Sequence, residues 1–190
     1  MQQNQNTMIY PIVAYGHPVL RKETKEITKD YPNLKELIDN MFETMYHSEG
    51  VGLAAPQVNF PVRLFVMDAS PMGDEVEEFK DFKKAFINPY IVEEDGEDWS
   101  FNEGCLSIPG IREDVKRPEM ITIEYYDENF EFHRETYHGI PARIIQHEYD
   151  HLDGIMFTDR LSPLKRRMLK NKLTAITKGK VDTHYRMIIP

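Results

Sequence analysis

Apolar residues recur at helical spacing near both ends of the chain. Between Pro32 and Gly50 they predict one amphipathic helix, with the proline in its first turn and the glycine as its stop. A last helix is predicted from a Ser162 cap and Pro163 to about Gly179. The apolar positions of the first helix are Leu34, Leu37, Ile38, Met41, Phe42 and Met45. The inward positions expected in the last helix are Leu164, Met168, Ala175 and Ile176.

Between these helices the pattern changes to the β-branched and alternating residues of strands, so the middle of the chain should be mostly β. Four strands are predicted, at residues 62–68, 84–92, 121–127 and 130–137. The last two should form a hairpin joined by Glu128 and Asn129. Residues 71–82 are acidic and rich in turn formers, which predicts a solvated surface loop.

The composition is that of an ordinary globular protein. With 190 residues, 41% of them hydrophobic and 29% charged, we expect a single domain over residues 1–190. No apolar run approaches the ~20 residues that cross a bilayer. The N-terminus also lacks the features of a signal peptide, so we expect a cytoplasmic protein without membrane contact. The only cysteine, Cys105, cannot form an internal disulfide, which leaves its thiol available for chemistry.

Charge is unevenly distributed along the chain. The net charge of −9 argues against a protein that coats nucleic acid through its entire surface. Residues 163–180 nevertheless contain seven basic side chains and no acidic one, so the rest of the chain carries about −16. The predicted last helix therefore has an electrostatic character of its own.

Residues 147–151, HEYDH, place two histidines four positions apart with a glutamate after the first. A helix is predicted here, opened by Gly139 and Pro141 and ended by a left-handed cap at Gly154. The stripe that should face the core is Ile145, Tyr149, Leu152 and Met156. The neighbouring stripe consists of Ile140, Ile144, His147, Glu148 and His151. Because HExxH is a short pattern, the alternative is a helix whose histidines are only hydrogen-bonded or exposed.

Two histidines make half of a tetrahedral metal site, so a further ligand is required. A metzincin would place a histidine where this chain has Phe157, and a thermolysin-like enzyme would need a glutamate after Glu148, where none occurs. Cys105 is then the expected ligand, since a thiolate with two imidazoles suits zinc or ferrous iron and leaves a position for water. The alternative is that Cys105 is a small buried apolar residue. The downstream candidates, which lack a matching pattern, are Asp153, Asp159, Asp182 and His184.

Three motifs in this order resemble those of the peptide deformylases. They are GVGLAAPQ at residues 50–57, EGCLS at 103–107 and QHEYDHLDG at 146–154. The predicted N-terminal helix and LSPLKRR at residues 161–167 also match, so the resemblance covers nearly the whole chain. It implies removal of the formyl group from the N-terminal formylmethionine of newly synthesised polypeptides, with release of formate. It also implies an α+β fold of small antiparallel sheets around a central HExxH helix, with one N-terminal and one C-terminal helix.

The same resemblance assigns roles to individual residues. It implies one divalent metal ion, Fe²⁺ in the cell with Zn²⁺, Ni²⁺ or Co²⁺ also accepted. The ligands would be Cys105, His147 and His151. A metal there would lower the pKa of a bound water towards ~7, and Glu148 could take the proton and pass it to the leaving nitrogen. The oxyanion donors implied by the resemblance are the Gln57 amide and the Leu106 N–H.

The candidates for substrate binding lie in or beside the motifs and are Val51, Gly52, Phe101, Arg112, Ile140 and Ile144. The apolar ones would receive the methionine side chain, and the alternative for each is ordinary core packing. The small residues of 50–55 would let an extended peptide add as a strand, although a tight turn would use them too. Glu103 and Gln146 are expected to orient the metal ligands.

The expected partners are N-formylmethionyl peptides and nascent chains, bound by a monomer. The basic helix at about residues 163–179 is either a solvated surface or, as we hypothesise, a contact with ribosomal RNA. Two alternatives to deformylation stay open. A metallopeptidase would cut internal peptide bonds, and a structural metal site in a binding protein would be closed by four protein ligands.

Overall fold

The computed structural model describes residues 7–73 and 79–190; residues 74–78, part of the predicted acidic loop, lie outside the described residues. Within those ranges the chain forms three α-helices and seven β-strands, and no helix there is long and apolar enough to cross a membrane. The helices are α1 (Leu34–His47), α2 (Gly139–Leu152) and α3 (Pro163–Thr177). The strands are β1 (Ile12–Val13), β2 (Gly52–Ala54), β3 (Leu64–Asp68), β4 (Lys83–Cys105), β5 (Ile108–Tyr126), β6 (Phe132–His138) and β7 (Met187–Ile188).

Five strands form one antiparallel sheet in the order β2-β3-β4-β5-β6. Its largest part is the hairpin of β4 and β5, whose two-residue turn, Leu106–Ser107, lies between the paired residues Cys105 and Ile108. A second sheet pairs β1 with β7 and so joins the two ends of the chain. The predicted α+β class is confirmed, but this second sheet is parallel rather than antiparallel.

Helix α2 packs on the five-stranded sheet because its apolar side meets the apolar face of β3, β4 and β5. Its fully buried residues in this contact are Ala142, Ile145 and Leu152. They join a cluster that includes Phe65, Met67, Phe86, Ile121 and Ile123. The predicted core stripe is therefore confirmed for Ile145 and Leu152, and Tyr149 packs partly buried against the same cluster. Met156 lies beyond the end of the helix and packs in a different cluster.

The helix ends match the sequence pattern only in part. Helix α1 begins at Leu34 after a left-handed Asn33, so the preceding proline lies outside its first turn. The residue in the left-handed conformation after α1 is Glu49, not the glycine that follows it. Gly154 is left-handed as predicted, with φ +72°, and a Cβ there would lie 2.7 Å from the carbonyl oxygen of Arg21.

Helix α3 begins as predicted, and the Ser162 hydroxyl accepts a hydrogen bond from the Lys165 N–H at 3.3 Å. The prediction of its inward face is wrong for Leu164 and Met168, which are 68% and 73% exposed. Its buried residues are Leu169, Leu173 and Ile176. These pack against apolar residues of β1 and β5, so tertiary contacts choose between two apolar stripes that periodicity alone does not rank.

The predicted strands are present, but two of them are much longer than predicted. Strand β4 continues from the predicted segment to Cys105, and β5 begins at Ile108 rather than near Ile121. These extensions carry many charged residues, some of them at buried positions, so their sequence lacks the apolar alternation that is typical of a strand buried on one face. The turn between β5 and β6 spans residues 127–131, and Phe130 within it is left-handed with φ +58°.

Candidate metal centre and active site

The cysteine and the two histidines of HEYDH meet where the β4–β5 turn lies against α2. The possible ligand atoms of Cys105, His147 and His151 all lie within 4.8 Å of one another. Cys105 Sγ is 3.4 Å from His151 Nε2. The helical spacing of four puts both imidazoles on one face of α2, and the last residue of β4 supplies the thiol.

Glu103 holds the ring of His147 in a fixed orientation. Its Oε2 lies 2.9 Å from His147 Nδ1, which leaves Nε2 for the side that Cys105 occupies. A carboxylate in this position commonly fixes the tautomer of an imidazole that binds a metal. Gln146, also expected to orient the ligands, instead donates to the carbonyl oxygens of Pro118 and Ala142, both at 3.1 Å.

The charge around the two imidazoles fits a bound cation. Burial lowers the pKa of His151 well below its usual value. Burial also acts to lower the pKa of His147, but hydrogen bonds with Cys105 and Glu103 raise it to about 10. The negative charge that favours the proton on His147 would also favour a divalent cation bound between the sulfur and the rings. One thiolate and two imidazoles therefore form a donor set that suits zinc or ferrous iron, with a position left for water.

Behind the ligands lies a buried ionic cluster of Glu103, Arg117, Arg143 and Asp150, which we call the Glu103 cluster. Arg117 donates to Glu103 Oε1 and to Asp150 Oδ2, both at 2.7 Å. Arg143 donates to Glu103 Oε1 at 2.9 Å. Burial alone would raise the pKa of Glu103, but hydrogen bonds from His147 and Arg117 hold it well below its usual value. Each buried carboxylate thus faces at least one guanidinium, as a buried charge requires.

Sequence reasoning missed three members of the Glu103 cluster. Arg117 lies in REDVKRPEM, a stretch of mixed charge that reads as a solvated strand, and Arg143 and Asp150 read as ordinary helix charges. All three side chains are nearly inaccessible to solvent. No local signal distinguishes such a charge from an exposed one, because its burial depends on segments that are distant in sequence.

Glu148 is a buried carboxyl group that directly follows the candidate ligand His147. It is 5% exposed, and its Oε2 has no hydrogen-bond partner among residues 7–73 and 79–190. Burial raises the pKa of Glu148 to about 7. Gly52 of β2 lies directly against the carboxylate, since a Cβ on Gly52 would be 2.7 Å from Glu148 Oε1. A carboxyl group with a pKa near neutrality is suited to accept and release a proton.

Gln57 lies beside the thiol of Cys105. Its Oε1 accepts a hydrogen bond from the Ala54 N–H at 2.9 Å, so Nε2 is the atom that faces the site. Nε2 is 3.4 Å from Cys105 Sγ and 3.2 Å from Ser107 Oγ. Leu106 follows Cys105 directly and is the first residue of the β4–β5 turn. The two groups expected to donate to an oxyanion therefore flank the candidate ligand.

A cleft of about 680 Å³ is lined by Cys105, His147 and Glu148. The residues expected to bind substrate all line it: Val51, Gly52, Phe101, Arg112, Ile140 and Ile144. Arg112 is held at this wall by Asn102, whose side-chain and backbone oxygens accept its hydrogen bonds at 2.8 and 2.7 Å. Residues 182–185 of the C-terminal segment also line the cleft, which the sequence did not predict.

A second group of possible cation ligands lies on the β5–β6 turn and comprises Asp127, Glu131 and His133. Asp127 Oδ1 already accepts hydrogen bonds from two backbone N–H groups of the turn, and Asp127 Oδ2 is 2.7 Å from His133 Nε2. These contacts stabilise the turn itself. His133 thus has a structural contact within the turn.

The sequence profile of the family described as Polypeptide deformylase matches residues 9–167. Peptide deformylases of Christiangramia forsetii and Flavobacterium johnsoniae are 58% and 57% identical to this chain, and the alignments cover 96% and 95% of it and 97% and 95% of those proteins. The solved structure of Plasmodium falciparum peptide deformylase with an inhibitor is 39% identical, with a TM-score of 0.77 over 88% of this chain and 99% of that one. The Thermotoga maritima peptide deformylase structure is 44% identical, with a TM-score of 0.74 over 82% of this chain and 99% of that one. This chain therefore belongs to the peptide deformylase family and is a metal-dependent hydrolase that removes the N-formyl group from newly synthesised polypeptides.

Proposed function

We propose that residues 1–190 form one catalytic domain in which Cys105, His147 and His151 hold a single divalent metal ion. The observation that carries this assignment is the convergence of the only thiol with both imidazoles of HEYDH beside the buried Glu148. The pairing of β1 with β7, and the contribution of residues 182–185 to the cleft, support one unit that includes both ends of the chain.

Hydrolysis of a formamide needs a nucleophile, stabilisation of charge on the carbonyl oxygen, and a proton for the leaving amine. A divalent metal in this donor set supplies a water of lowered pKa and a positive charge beside the carbonyl. Glu148 takes a proton from the attacking water and delivers it to the nitrogen of the formylmethionine. Gln57 Nε2 and the Leu106 N–H donate hydrogen bonds to the oxygen as its negative charge develops.

The position of β2 suggests how the peptide is held. Strand β2 is one of the two edge strands of the five-stranded sheet, and among the described strands it pairs only with β3. An extended substrate could therefore pair with the Val51–Ala54 edge through backbone hydrogen bonds, which place few demands on its side chains. Phe101, Ile140 and Ile144 supply an apolar wall of the cleft for the methionine side chain.

The donor set by itself suits several ions, and we propose Fe²⁺ as the metal in the cell, with Zn²⁺, Ni²⁺ or Co²⁺ as functional replacements. Elemental analysis of protein purified without oxygen tests this directly. One iron per chain is the expected result. A different ion at one per chain would contradict the assignment of iron but not the ligand set.

Formate release from a formylmethionyl peptide tests the function and the ligands together. The wild type should release formate and should not cleave the same peptide without its formyl group, which a metallopeptidase would cut. Cys105→Ala should lose both the metal and formate release, because two imidazoles make an incomplete site. Retention of one tightly bound metal by Cys105→Ala would rule out the proposed ligand set.

We also propose that a monomer acts in the cytoplasm on nascent chains, with α3 in contact with ribosomal RNA. Arg166 and Arg167 are exposed, and Lys165 is partly exposed, with its Nζ 3.1 Å from a carboxylate oxygen of Glu113. Reversal of all three basic residues to glutamate should weaken cosedimentation with ribosomes and leave activity on a short formyl peptide intact.

The matched control for this reversal is Lys22→Glu, Lys25→Glu and Lys29→Glu, which makes the same change in net charge at another exposed surface. Both triple variants are compared at two salt concentrations, because contacts with phosphates weaken as salt rises. Equal losses in the two variants, or an association that salt and reversal leave unchanged, would contradict a contact through α3.

A further inference from the structure

The Leu106–Ser107 turn is held by two segments that lie far from it in sequence. The hydroxyl of Tyr185 donates a hydrogen bond to the Leu106 carbonyl oxygen at 2.8 Å. The backbone N–H of Tyr15 donates to the Ser107 carbonyl oxygen at 2.9 Å. Turns at the ends of long hairpins are ordinarily among the more mobile parts of a protein. Here both backbone carbonyls of the turn have a donor that the hairpin itself does not provide.

Both donors lie next to the two-stranded parallel sheet of β1 and β7. Tyr15 lies two residues after β1, and Tyr185 lies two residues before β7. The two strands pair Ile12 with Met187 and Val13 with Ile188. The contact between the chain ends therefore also holds the turn that follows Cys105.

The position of the Tyr185 side chain is itself fixed by neighbouring contacts. Its side chain is partly buried and packs against the apolar cluster around α1. The next residue towards the N-terminus, His184, places its Nε2 3.0 Å from the His47 carbonyl oxygen, which ties the segment to the end of α1. Burial and the nearby thiol of Cys105 raise the pKa of Tyr185 to about 12, so the phenol keeps its proton and remains a donor at neutral pH.

We propose that Tyr185 is a positioning residue for deformylation. By fixing the Leu106 carbonyl, its hydroxyl restricts rotation of the turn and so keeps the Leu106 N–H directed at the oxygen that becomes negatively charged. The inference rests on the proposed function, in which that N–H is an oxyanion donor. The C-terminal segment would then be one of the parts of the chain that set the reaction rate. Neither the HExxH motif nor the apolar pattern indicated this contribution.

Tyr185→Phe keeps the ring and removes only the hydroxyl, so it isolates the hydrogen bond. We expect kcat for formate release to fall about 10-fold, less than the ~10²–10³ observed when an oxyanion donor is removed outright. KM should change by less than about two-fold, because the contact acts on the transition state and not on peptide binding. Metal content should equal that of the wild type.

The matched control is Tyr10→Phe, which also removes one partly buried hydroxyl. Tyr10 accepts its hydrogen bond from Asn40 Nδ2 at 3.1 Å and does not line the cleft. Its kcat and KM should equal those of the wild type. A fall in kcat of the same size in both variants would contradict the specific role of Tyr185.

Amide hydrogen exchange of the purified enzymes tests, independently of activity, whether Tyr185 holds the Leu106–Ser107 turn. The peptide that contains residues 105–108 should exchange several-fold faster in Tyr185→Phe and at the wild-type rate in Tyr10→Phe, since exchange reports local opening. Unchanged exchange, or faster exchange with unchanged kcat, would overturn the proposal. Loss of metal in step with kcat would also overturn it, because the hydroxyl would then act through Cys105.

Failure of the proposed function and failure of the positioning role of Tyr185 would give different experimental results. If the wild type releases no formate, the proposed function of the site fails, while the exchange experiment still decides whether Tyr185 holds the turn. If the wild type releases formate and Tyr185→Phe is unchanged in both kcat and exchange, only the positioning role fails.

Discussion

Helices α2 and α3 are 14 and 15 residues long, yet they differ in whether their charged residues are buried. Helix α2 buries charged or titratable side chains on several of its sides, namely Arg143, Glu148, Asp150 and His151. Helix α3 buries only apolar residues and leaves its basic side chains in solvent. Asp150 of α2, for example, pairs with both Arg117 and Arg160.

The difference shows what a charge does in each setting. A buried charge must have partners in a fixed geometry, and removal of one partner leaves the other uncompensated at a cost of about 3–5 kcal/mol. A solvated charge contributes about 0–1 kcal/mol through any one pair. Paired charges of α2 therefore fix the geometry around the proposed metal site, whereas those of α3 could contact an external partner without loss of stability.

The largest expected effect comes from Glu148→Gln on α2. The amide cannot accept and deliver a proton, so kcat should fall by ~10²–10⁴. Metal content should be retained, because Glu148 is not a proposed ligand. Stability should not fall, since burial disfavours the charged form that the substitution removes. Assay of formate release, with Glu43→Gln on the exposed face of α1 as the control, checks this; activity within a few-fold of the wild type would exclude Glu148 as the proton carrier.

Glu103→Gln should cost stability as well as activity. Arg117, Arg143 and His147 all lose a charged partner, so the free energy of unfolding should fall by about 3–5 kcal/mol. Metal affinity should fall by about 10–100-fold, because the His147 ring loses its orienting carboxylate. Urea unfolding and a chelator competition measure the two effects.

The control for Glu103→Gln is Glu124→Gln, which breaks an exposed pair with Arg134 at 2.9 Å on the same sheet. It should change the free energy of unfolding by less than about 1 kcal/mol. Equal changes in the free energy of unfolding would show that the buried pairs of Glu103 stabilise the protein no more than the exposed pair of Glu124 and Arg134.

A matched pair of substitutions on α3 sharpens the contrast within one helix. Leu169→Ala removes a buried side chain and should lower the free energy of unfolding by about 2–5 kcal/mol. Leu164→Ala removes an exposed one and should change it by less than about 0.5 kcal/mol. Thermal or urea unfolding distinguishes them, and a reversed order would mean that the inward face of α3 is the one the periodicity suggested.

The smallest expected effect comes from Gly52→Ala, which tests how closely β2 packs on the catalytic face of α2. The added methyl would lie 2.7 Å from Glu148 Oε1, so the carboxylate must move. We expect kcat to fall about 10-fold, corresponding to ~1.4 kcal/mol in the barrier. Metal content should stay at the wild-type level, and unchanged steady-state kinetics would show that the Glu148 side chain tolerates displacement.

Much of the fold could be predicted because it depends on local patterns. The Ser162 cap, the Gly154 turn and the buried stripe of α2 are properties of short segments, and the structure has them where the sequence placed them. The extensions of β4 and β5 could not be predicted, because some of their buried positions are charged, as Glu103 and Arg117 are, so the sequence shows no apolar alternation. The inward face of α3 was ambiguous, since the helix carries two apolar stripes and only contact with β1 and β5 selects one.

For the candidate site, the sequence by itself determined which residue types are available: one thiol, two histidines at helical spacing, and an adjacent glutamate. Only the tertiary structure decided that these groups meet, that Arg117 and Arg143 neutralise Glu103 in the interior, and that Tyr185 reaches the Leu106 carbonyl. The physical reason is that burial and pairing are properties of contacts between segments distant along the chain, whereas a local pattern records only which side chains can make them.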